Sequence, residues 1–215
     1  MLFGAALASA LLNLAAEYRG PRWLVYVTKP LTTTLLLLAA AAVHVGDPPY
    51  QIAIVAGLAC SLAGDVFLML PRDHFVAGLA SFLCAHVAYI VAFTRGAALG
   101  ARPLLAIPYA VAAACVLALL WPRLGRLRAP VVVYVAALVM MAWQAAARAA
   151  IDDRRAAYAA ALGAALFVVS DAMLAIARFR RPFCAAQAVV MSTYVAAQAL
   201  IAYSVVATAT SMAVP

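Results

Sequence analysis

The sequence predicts an all-α, polytopic membrane protein with eight transmembrane helices. Of its 215 residues, 69% are hydrophobic and 10% are charged, whereas an ordinary soluble domain has about 25% charged residues. So few charges cannot cover a water-facing surface. The apolar runs are roughly 20 residues long, which matches a hydrocarbon core of about 30 Å. The alternating pattern that is typical of membrane β-barrels is absent from these runs.

Eight apolar runs follow one another, separated by short connections rich in proline, glycine and arginine. No basic residue precedes the first run, which argues against a signal peptide and for a retained, slightly short helix. No connection is long enough to hold a soluble domain, so we expect residues 1–215 to form a single transmembrane domain. The predicted spans are about 1–17, 23–43, 51–70, 75–95, 103–121, 130–148, 156–177 and 184–208.

The net charge of +8 is better explained by membrane topology and lipid headgroups than by nucleic acid, which we do not expect as a partner. The odd-numbered connections carry more arginines than the even-numbered ones. By the positive-inside rule, both termini then lie outside and the odd connections lie in the cytoplasm. We expect an integral protein of a bacterial-type inner (plasma) membrane.

Two aspartates with matching sequence contexts lie inside the apolar runs. Asp65 ends the stretch GLACSLAGD (57–65), and Asp171 ends GAALFVVSD (163–171). Each stretch begins with glycine and has a small residue just before the aspartate, and a leucine follows three residues later. An ionisable side chain in lipid is costly and indicates a functional site. We therefore interpret Asp65 and Asp171 as candidate catalytic residues.

The two stretches lie on the third and seventh runs, which predicts a parallel repeat of two four-helix halves. At about 1.5 Å per residue, both aspartates then lie roughly 9–10 Å inside the cytoplasmic ends of their helices. Lys29, the only lysine in the chain, falls at the same depth on the second run, and Asn13 approaches this end on the first. The pattern predicts a site toward the cytoplasmic leaflet, with Lys29 and Asn13 as candidate substrate-binding residues.

Helical spacing adds further candidates to the faces that carry the aspartates. Residues four apart share a helix face, which joins Ser61 to Asp65, and Ser170 directly precedes Asp171. Corresponding faces of the fourth and eighth runs carry aromatic and polar side chains. The remaining candidate substrate-binding residues are Phe82, His86, Tyr89, Tyr194 and Gln198.

These features also have structural explanations. Glycines are typical of tight helix–helix seams in membranes, and a structural ion pair with Lys29 is the alternative for the aspartates. One lysine cannot pair with both aspartates, which favours a catalytic role for them over a purely structural one. The polar side chains of the fourth and eighth runs are as consistent with hydrogen-bonded packing as with substrate contact.

We expect no metal and no cofactor. A zinc site usually needs three or four close ligands, but His86 is the only histidine inside an apolar run. The chain lacks a phosphate-binding glycine loop, and no histidine lies one helical turn from Ser61 or Ser170 to form a Ser-His-Asp triad. The four cysteines form no CxxC pair, so we expect buried small hydrophobic residues rather than disulfides. They are Cys60, Cys84, Cys115 and Cys184.

With these residues and motifs, the sequence resembles the YhhN/TMEM86 family of membrane proteins, whose characterised members are lysoplasmalogenases. The resemblance extends from about residue 11 to residue 204. Each motif is weak alone, but their order and spacing on eight spans are specific. The matching stretches are Lys29-Pro30, GLACSLAGD (57–65), FVAGLASFLCAHVAY (75–89), GAALFVVSD (163–171) and TYVAAQALI (193–201).

The resemblance implies hydrolysis of the vinyl ether bond of lysoplasmalogens, which releases a fatty aldehyde and a glycerophospho-base, with Asp65 and Asp171 as catalytic candidates. Protonation of the β-carbon needs an acid, and water activation needs a base. We expect burial in lipid to keep one aspartate protonated, without an indication of which one. The expected partners are a lysophospholipid-like substrate and membrane lipids, with the headgroup near the arginines and the chain toward His86 and Tyr194.

Other functions remain open at this level. Intramembrane acids and parallel repeats are also common in proton-coupled transporters of small molecules or lipids. A lysophospholipid hydrolase with a different bond specificity and a non-catalytic lipid-binding scaffold are further alternatives. The sequence does not indicate an oligomeric state.

Overall fold

Eight α-helices and three short 3₁₀ turns form the described part of the chain in a computed structural model, which describes residues 1–180 and 185–210. The all-helical prediction is therefore confirmed for these residues. The helices are α1 (Leu2–Arg19), α2 (Arg22–Ala41), α3 (Pro48–Met69), α4 (Phe75–Phe93), α5 (Ile107–Leu120), α6 (Arg128–Ala149), α7 (Arg155–Phe179) and α8 (Ala186–Thr210).

Seven helical segments in the described residues are long and apolar enough to cross a bilayer, and α1 lies outside this set. The chain is thus an integral membrane protein. Helix α3 begins at Pro48, three residues before the predicted span, and the Asp47 carboxylate caps it by accepting a hydrogen bond from the Tyr50 backbone N–H at 3.3 Å. The segment at the fifth predicted span, Pro103–Arg123, begins with a 3₁₀ turn (Pro103–Ala106) that precedes α5.

Six helices pack side by side in a closed ring. Each of the successive pairs α2–α3, α3–α4, α4–α6, α6–α7, α7–α8 and α8–α2 is in contact. Helix α1 packs on the outside against α2 and α8, and α5 packs on the outside against α6 and α7. Asp65 on α3 and Asp171 on α7 both belong to helices of the ring.

The glycines of the two aspartate stretches lie in tight seams between neighbouring helices. A Cβ atom on Gly57 would come within 2.2 Å of the Tyr89 ring, and one on Gly163 would lie 2.8 Å from the Ala197 carbonyl oxygen. Glycine allows α3 to approach α4, and α7 to approach α8, at these points. The seams fix the aspartates, which lie eight residues further along each helix, relative to α4 and α8.

The cysteine prediction is partly wrong. Cys84 and Cys115 are exposed and Cys60 is intermediate, and all three are free thiols. Exposed cysteines are compatible with these helices because their outer surfaces face hydrocarbon rather than water. Cys184 lies outside the described residues.

Candidate active site

Asp65 and Asp171 line the same cavity, which we call the polar cavity. It encloses about 1170 Å³ of space, including its open mouth. Its walls come from the ends of α3 and α7, from the starts of α4 and α8, and from one position on α2. The sequence-predicted residues that join the aspartates in its lining are Lys29, Phe82, Ser170 and Tyr194.

Asp65 is surrounded by three polar groups of the protein. Its Oδ2 atom accepts hydrogen bonds from the Thr33 hydroxyl and from the Tyr194 hydroxyl, both at 2.7 Å. The Lys29 ammonium lies 3.5 Å from Oδ1. Asp65 is 1% exposed, and a buried carboxylate needs a cation and hydrogen-bond donors. The three partners supply both.

Asp171 has a different environment. The Tyr134 hydroxyl donates a short hydrogen bond to its Oδ2 atom, and the Nε2 atom of His86 lies 3.8 Å from the same oxygen. The His86 ring lies 5.0 Å from the rings of Tyr134 and Phe167, edge to face with both. Within the described residues, no lysine or arginine forms an ion pair with Asp171.

A line of buried hydrogen bonds leads from Tyr89 on α4, through two residues of α8, to Asp65 on α3. The Tyr89 hydroxyl donates to Gln198 Oε1 at 2.7 Å, and Gln198 Nε2 donates to the Tyr194 hydroxyl at 3.2 Å. Tyr194 then donates to Asp65. Of these three predicted residues, Tyr194 contacts the Asp65 carboxylate directly. Gln198 and Tyr89 are connected to Asp65 through Tyr194, which they orient.

The remaining predicted residues lie at different distances from the cavity. Ser170 lines it, and its hydroxyl donates to the Val190 carbonyl at 3.1 Å. Ser61 is buried one turn before Asp65 and is not among the cavity-lining residues described. Asn13 is also absent from that lining: its amide donates to Thr28 Oγ1 at 2.9 Å in the seam between α1 and α2.

Sequence reasoning missed two residues that contact the aspartates, Thr33 and Tyr134. Thr33 follows Lys29 by four residues and therefore shares its helix face. Tyr134 lies six residues, or roughly 9 Å, into α6, which is close to the depth that the sequence predicted for the aspartates. Helical spacing and depth were therefore available as signals for both residues.

The mouth of the polar cavity carries charged side chains from the α3–α4 connection and the end of α7. Arg178 donates to Asp73 at 2.5 Å, and its guanidinium lies 5.1 Å from the Phe75 ring. The hydrogen bond from Arg178 lowers the pKa of the Asp73 carboxyl. Arg72 and His74 also line this mouth. The opening thus presents three basic side chains to an incoming anion.

A second cavity, which we call the apolar slot, lies between α4, α5, α6 and α7, with Leu68 of α3 also in its lining. It contains about 840 Å³ of space, including the space at its open side. Its described lining is aliphatic and aromatic except for Asp171 and the hydroxyl of Tyr134. Asp171 therefore lines both cavities, whereas Asp65 is found in the lining of the polar cavity.

These features define an integral membrane protein in which one buried and one largely buried carboxyl group line the same cavity. The YhhN family model matches residues 24–205. The chain therefore belongs to the YhhN family, in agreement with the motifs singled out in the sequence.

The relatives include both bacterial and mammalian proteins. The "Uncharacterized membrane protein YhhN" of Escherichia coli O157:H7 is 33% identical over 202 residues, covering 94% of this chain and 97% of the relative. "Lysoplasmalogenase TMEM86A" of Homo sapiens is 35% identical over 197 residues, covering 86% and 80%. "Lysoplasmalogenase" of Mycobacterium tuberculosis is 36% identical over 152 residues, covering 67% and 56%. No solved structure matches the chain.

Proposed function

We propose that this chain hydrolyses the vinyl ether bond of lysoplasmalogens, releasing a fatty aldehyde and a glycerophospho-base. The observation that carries the proposal is the pair of carboxyl groups that line one cavity with different partners. Relatives named lysoplasmalogenase, about 35% identical to this chain, support the same reaction. The basic mouth suits the substrate phosphate, for which arginine is a good ligand.

The partners of the two aspartates assign their roles. Asp65 has the Lys29 ammonium and two hydroxyl donors, so it is the ionised base that orients water. Asp171 has one hydroxyl donor and the uncharged surroundings of aromatic rings, so it carries the proton and is the general acid. The unequal environments separate the protonation states of two carboxyl groups, as acid–base catalysis requires.

Asp65 and Asp171 each exchange protons with the substrate and water during one turnover, with no net gain or loss. Asp171 gives its proton to the β-carbon of the vinyl ether, and the ether oxygen stabilises the resulting oxocarbenium ion. Water adds to this cation while Asp65 accepts its proton, which forms a hemiacetal. Asp171 then takes the hemiacetal hydroxyl proton as the carbon–oxygen bond breaks, and Asp65 returns its proton to the departing glycerol oxygen. Both carboxyl groups finish in their starting states.

The same proposal includes the topology of the chain in the membrane. All eight helices span the membrane and form a single transmembrane domain over residues 1–215. Both termini lie outside a bacterial-type inner membrane, and the polar cavity opens to the cytoplasmic leaflet. The excess of arginines in the odd-numbered connections supports this orientation.

A parallel repeat of two four-helix halves is also proposed. The helix contacts support it, since α3–α4 corresponds to α7–α8, α2–α3 to α6–α7, and α2–α8 to α6–α4. In each half the peripheral helix precedes the ring helices: α1 packs on α2, and α5 packs on α6. Such a repeat explains why one carboxyl group comes from each half.

The test is aldehyde release by purified protein from lysoplasmalogen in detergent micelles. We expect Asp65→Asn and Asp171→Asn each to lose more than 99% of the activity, since each removes one proton-transfer step worth about 10²–10⁴-fold. Asp153→Asn is the matched control because Asp153 lies in the α6–α7 connection, away from the cavity. Near-normal turnover by either site variant, with both proteins folded, contradicts the mechanism.

The same assay separates the alternative functions. A hydrolase of lysophospholipid esters releases fatty acid instead of aldehyde from the corresponding acyl substrate. A transporter accumulates labelled substrate in proteoliposomes and forms no aldehyde. Aldehyde from the vinyl ether substrate, without fatty acid from the ester, is the expected result.

A further inference from the structure

The apolar slot has the chemistry of a hydrocarbon-binding site. Apart from Asp171 and Tyr134, its described lining consists of apolar side chains from α3 to α7. Along α5 it extends from Ala112 to Leu120, a distance of about 12 Å at 1.5 Å per residue. Such a lining provides few hydrogen-bond or ion-pair partners for a phosphate or an amine, and it suits a chain of methylene groups.

The slot and the polar cavity meet beside Asp171. Phe75, Phe82 and Leu174 line both spaces, together with Asp171 itself. A molecule with a polar end in one cavity and an apolar end in the other must therefore pass Asp171 at the boundary between its two parts. The vinyl ether bond is that boundary in a lysoplasmalogen.

Helix α5 separates the slot from the surrounding bilayer. Only 6% of the residues in its most apolar stretch are buried. It packs against α6 and α7, and no comparable packing joins it to α4 in the described residues. Ala113 lines the slot, whereas Val111, which is 57% exposed, is not among its described lining residues. The side of the slot between α4 and α5 is consequently the weakest part of its wall.

We infer that the apolar slot binds the single hydrocarbon chain of the substrate, which enters from the bilayer between α4 and α5. This inference rests on the proposed function. The headgroup then occupies the polar cavity, and the first atoms of the chain lie beside Asp171. From the sequence we expected the hydrocarbon chain to lie toward His86 and Tyr194. The slot lies elsewhere, because Tyr194 lines the polar cavity and His86 is in neither described lining.

The slot selects its ligand by shape rather than by hydrophobic affinity. A chain that moves from the bilayer into an apolar slot leaves one apolar medium for another, so little hydrophobic free energy is gained. Cleavage beside Asp171 would leave the aldehyde product in the slot, on the bilayer side of the site.

The first test is photo-crosslinking in nanodiscs with a 1-O-alkyl lysophospholipid that carries a diazirine at the end of its saturated chain. The saturated ether is not a substrate for vinyl ether hydrolysis, so labelling is independent of turnover. We expect competable crosslinks on the slot-facing residues of α5 and α6, such as Val116 and Leu138. Competable labelling confined to the groove between α1 and α8, near Leu7 and Val195, would overturn the inference.

The second test compares chain lengths in the aldehyde assay. Ala113→Phe fills the slot, whereas Ala114→Phe is the matched control because Ala114 is exposed and is not among the described lining residues. We expect Ala113→Phe to reduce kcat/KM at least tenfold for long-chain substrates and to spare short-chain ones. An equal effect on all chain lengths, or no effect beyond that of Ala114→Phe, would contradict chain binding in the slot.

The two tests separate this inference from the proposed reaction. If the wild-type protein releases no aldehyde from any chain length but the diazirine labels the slot, the chain site stands and the reaction fails. If aldehyde is released, but the diazirine does not label the slot and Ala113→Phe does not change the chain-length profile, the proposed reaction stands and the chain site is contradicted.

Discussion

The Lys29 ammonium lies 3.5 Å from the Asp65 carboxylate, on the neighbouring helix of the ring. The two side chains are 13% and 1% exposed, so their interaction is poorly screened by water. Within the described residues, Asp171 has no corresponding lysine or arginine. This difference between two otherwise matched aspartates supports the separate chemical roles that we propose for them.

Removal of Lys29 and Asp65 together should cost less stability than the two single changes combined. Asp65→Asn leaves a buried ammonium without its counter-charge, and Lys29→Gln leaves a buried carboxylate without its cation, whereas the double variant has neither defect. We expect a coupling of about 0.5–3 kcal/mol in the free energy of unfolding, measured by SDS-induced unfolding in mixed micelles. Lys29→Gln combined with Asp153→Asn serves as the additive control. Strict additivity in the Lys29–Asp65 cycle would contradict a direct pair.

Tyr134→Phe should lower kcat and leave KM nearly unchanged. The substitution keeps the ring that packs on His86 and removes the hydroxyl that donates to Asp171. We expect a five- to tenfold reduction, since a hydrogen bond contributes about 1–1.5 kcal/mol. Steady-state aldehyde release measures both constants. Tyr158→Phe, at an exposed position on α7, is the control, and an equal loss in both variants would remove the special role of Tyr134.

Asp73→Asn should lower KM for a phosphate-bearing substrate several-fold at neutral pH. Arg178 lowers the pKa of the Asp73 carboxyl, so this carboxylate stays ionised at neutral pH and loses its charge only as the pH falls through that lowered pKa. Its negative charge therefore competes with the substrate phosphate for Arg178. The reciprocal variant Arg178→Gln should raise KM. If both variants leave KM at its wild-type value, the mouth does not bind the phosphate.

Gly163→Ala should destabilise the protein by about 1–3 kcal/mol, the typical cost of overpacking. The new methyl group would lie 2.8 Å from the Ala197 carbonyl oxygen of α8, which is backbone and cannot turn aside. Gly4→Ala is the matched control, because a Cβ atom there meets nothing within 4 Å. The same unfolding measurement applies to both. Equal stability of the two variants would mean that α7 and α8 separate readily at this seam.

Much of the fold was predictable from the sequence because the signals are local. Composition indicated a membrane protein, and the length of the apolar runs indicated the helices. The apolar run of the fifth span did not reveal that a 3₁₀ turn (Pro103–Ala106) precedes α5 within it. The assignment of Asn13 to the substrate site relied on its depth alone, and its contact with Thr28 places it in a different seam.

The sequence by itself determined the positions of Asp65, Asp171 and Lys29 along their helices, because depth along a helix is the product of residue count and helical rise. The tertiary structure alone decided that Lys29, Thr33 and Tyr194 meet Asp65, and that Tyr134 and His86 meet Asp171. The physical reason is that depth follows from spacing within one helix. The lateral neighbours of a side chain depend on how each helix is rotated and packed against the others, which no spacing within a single helix specifies.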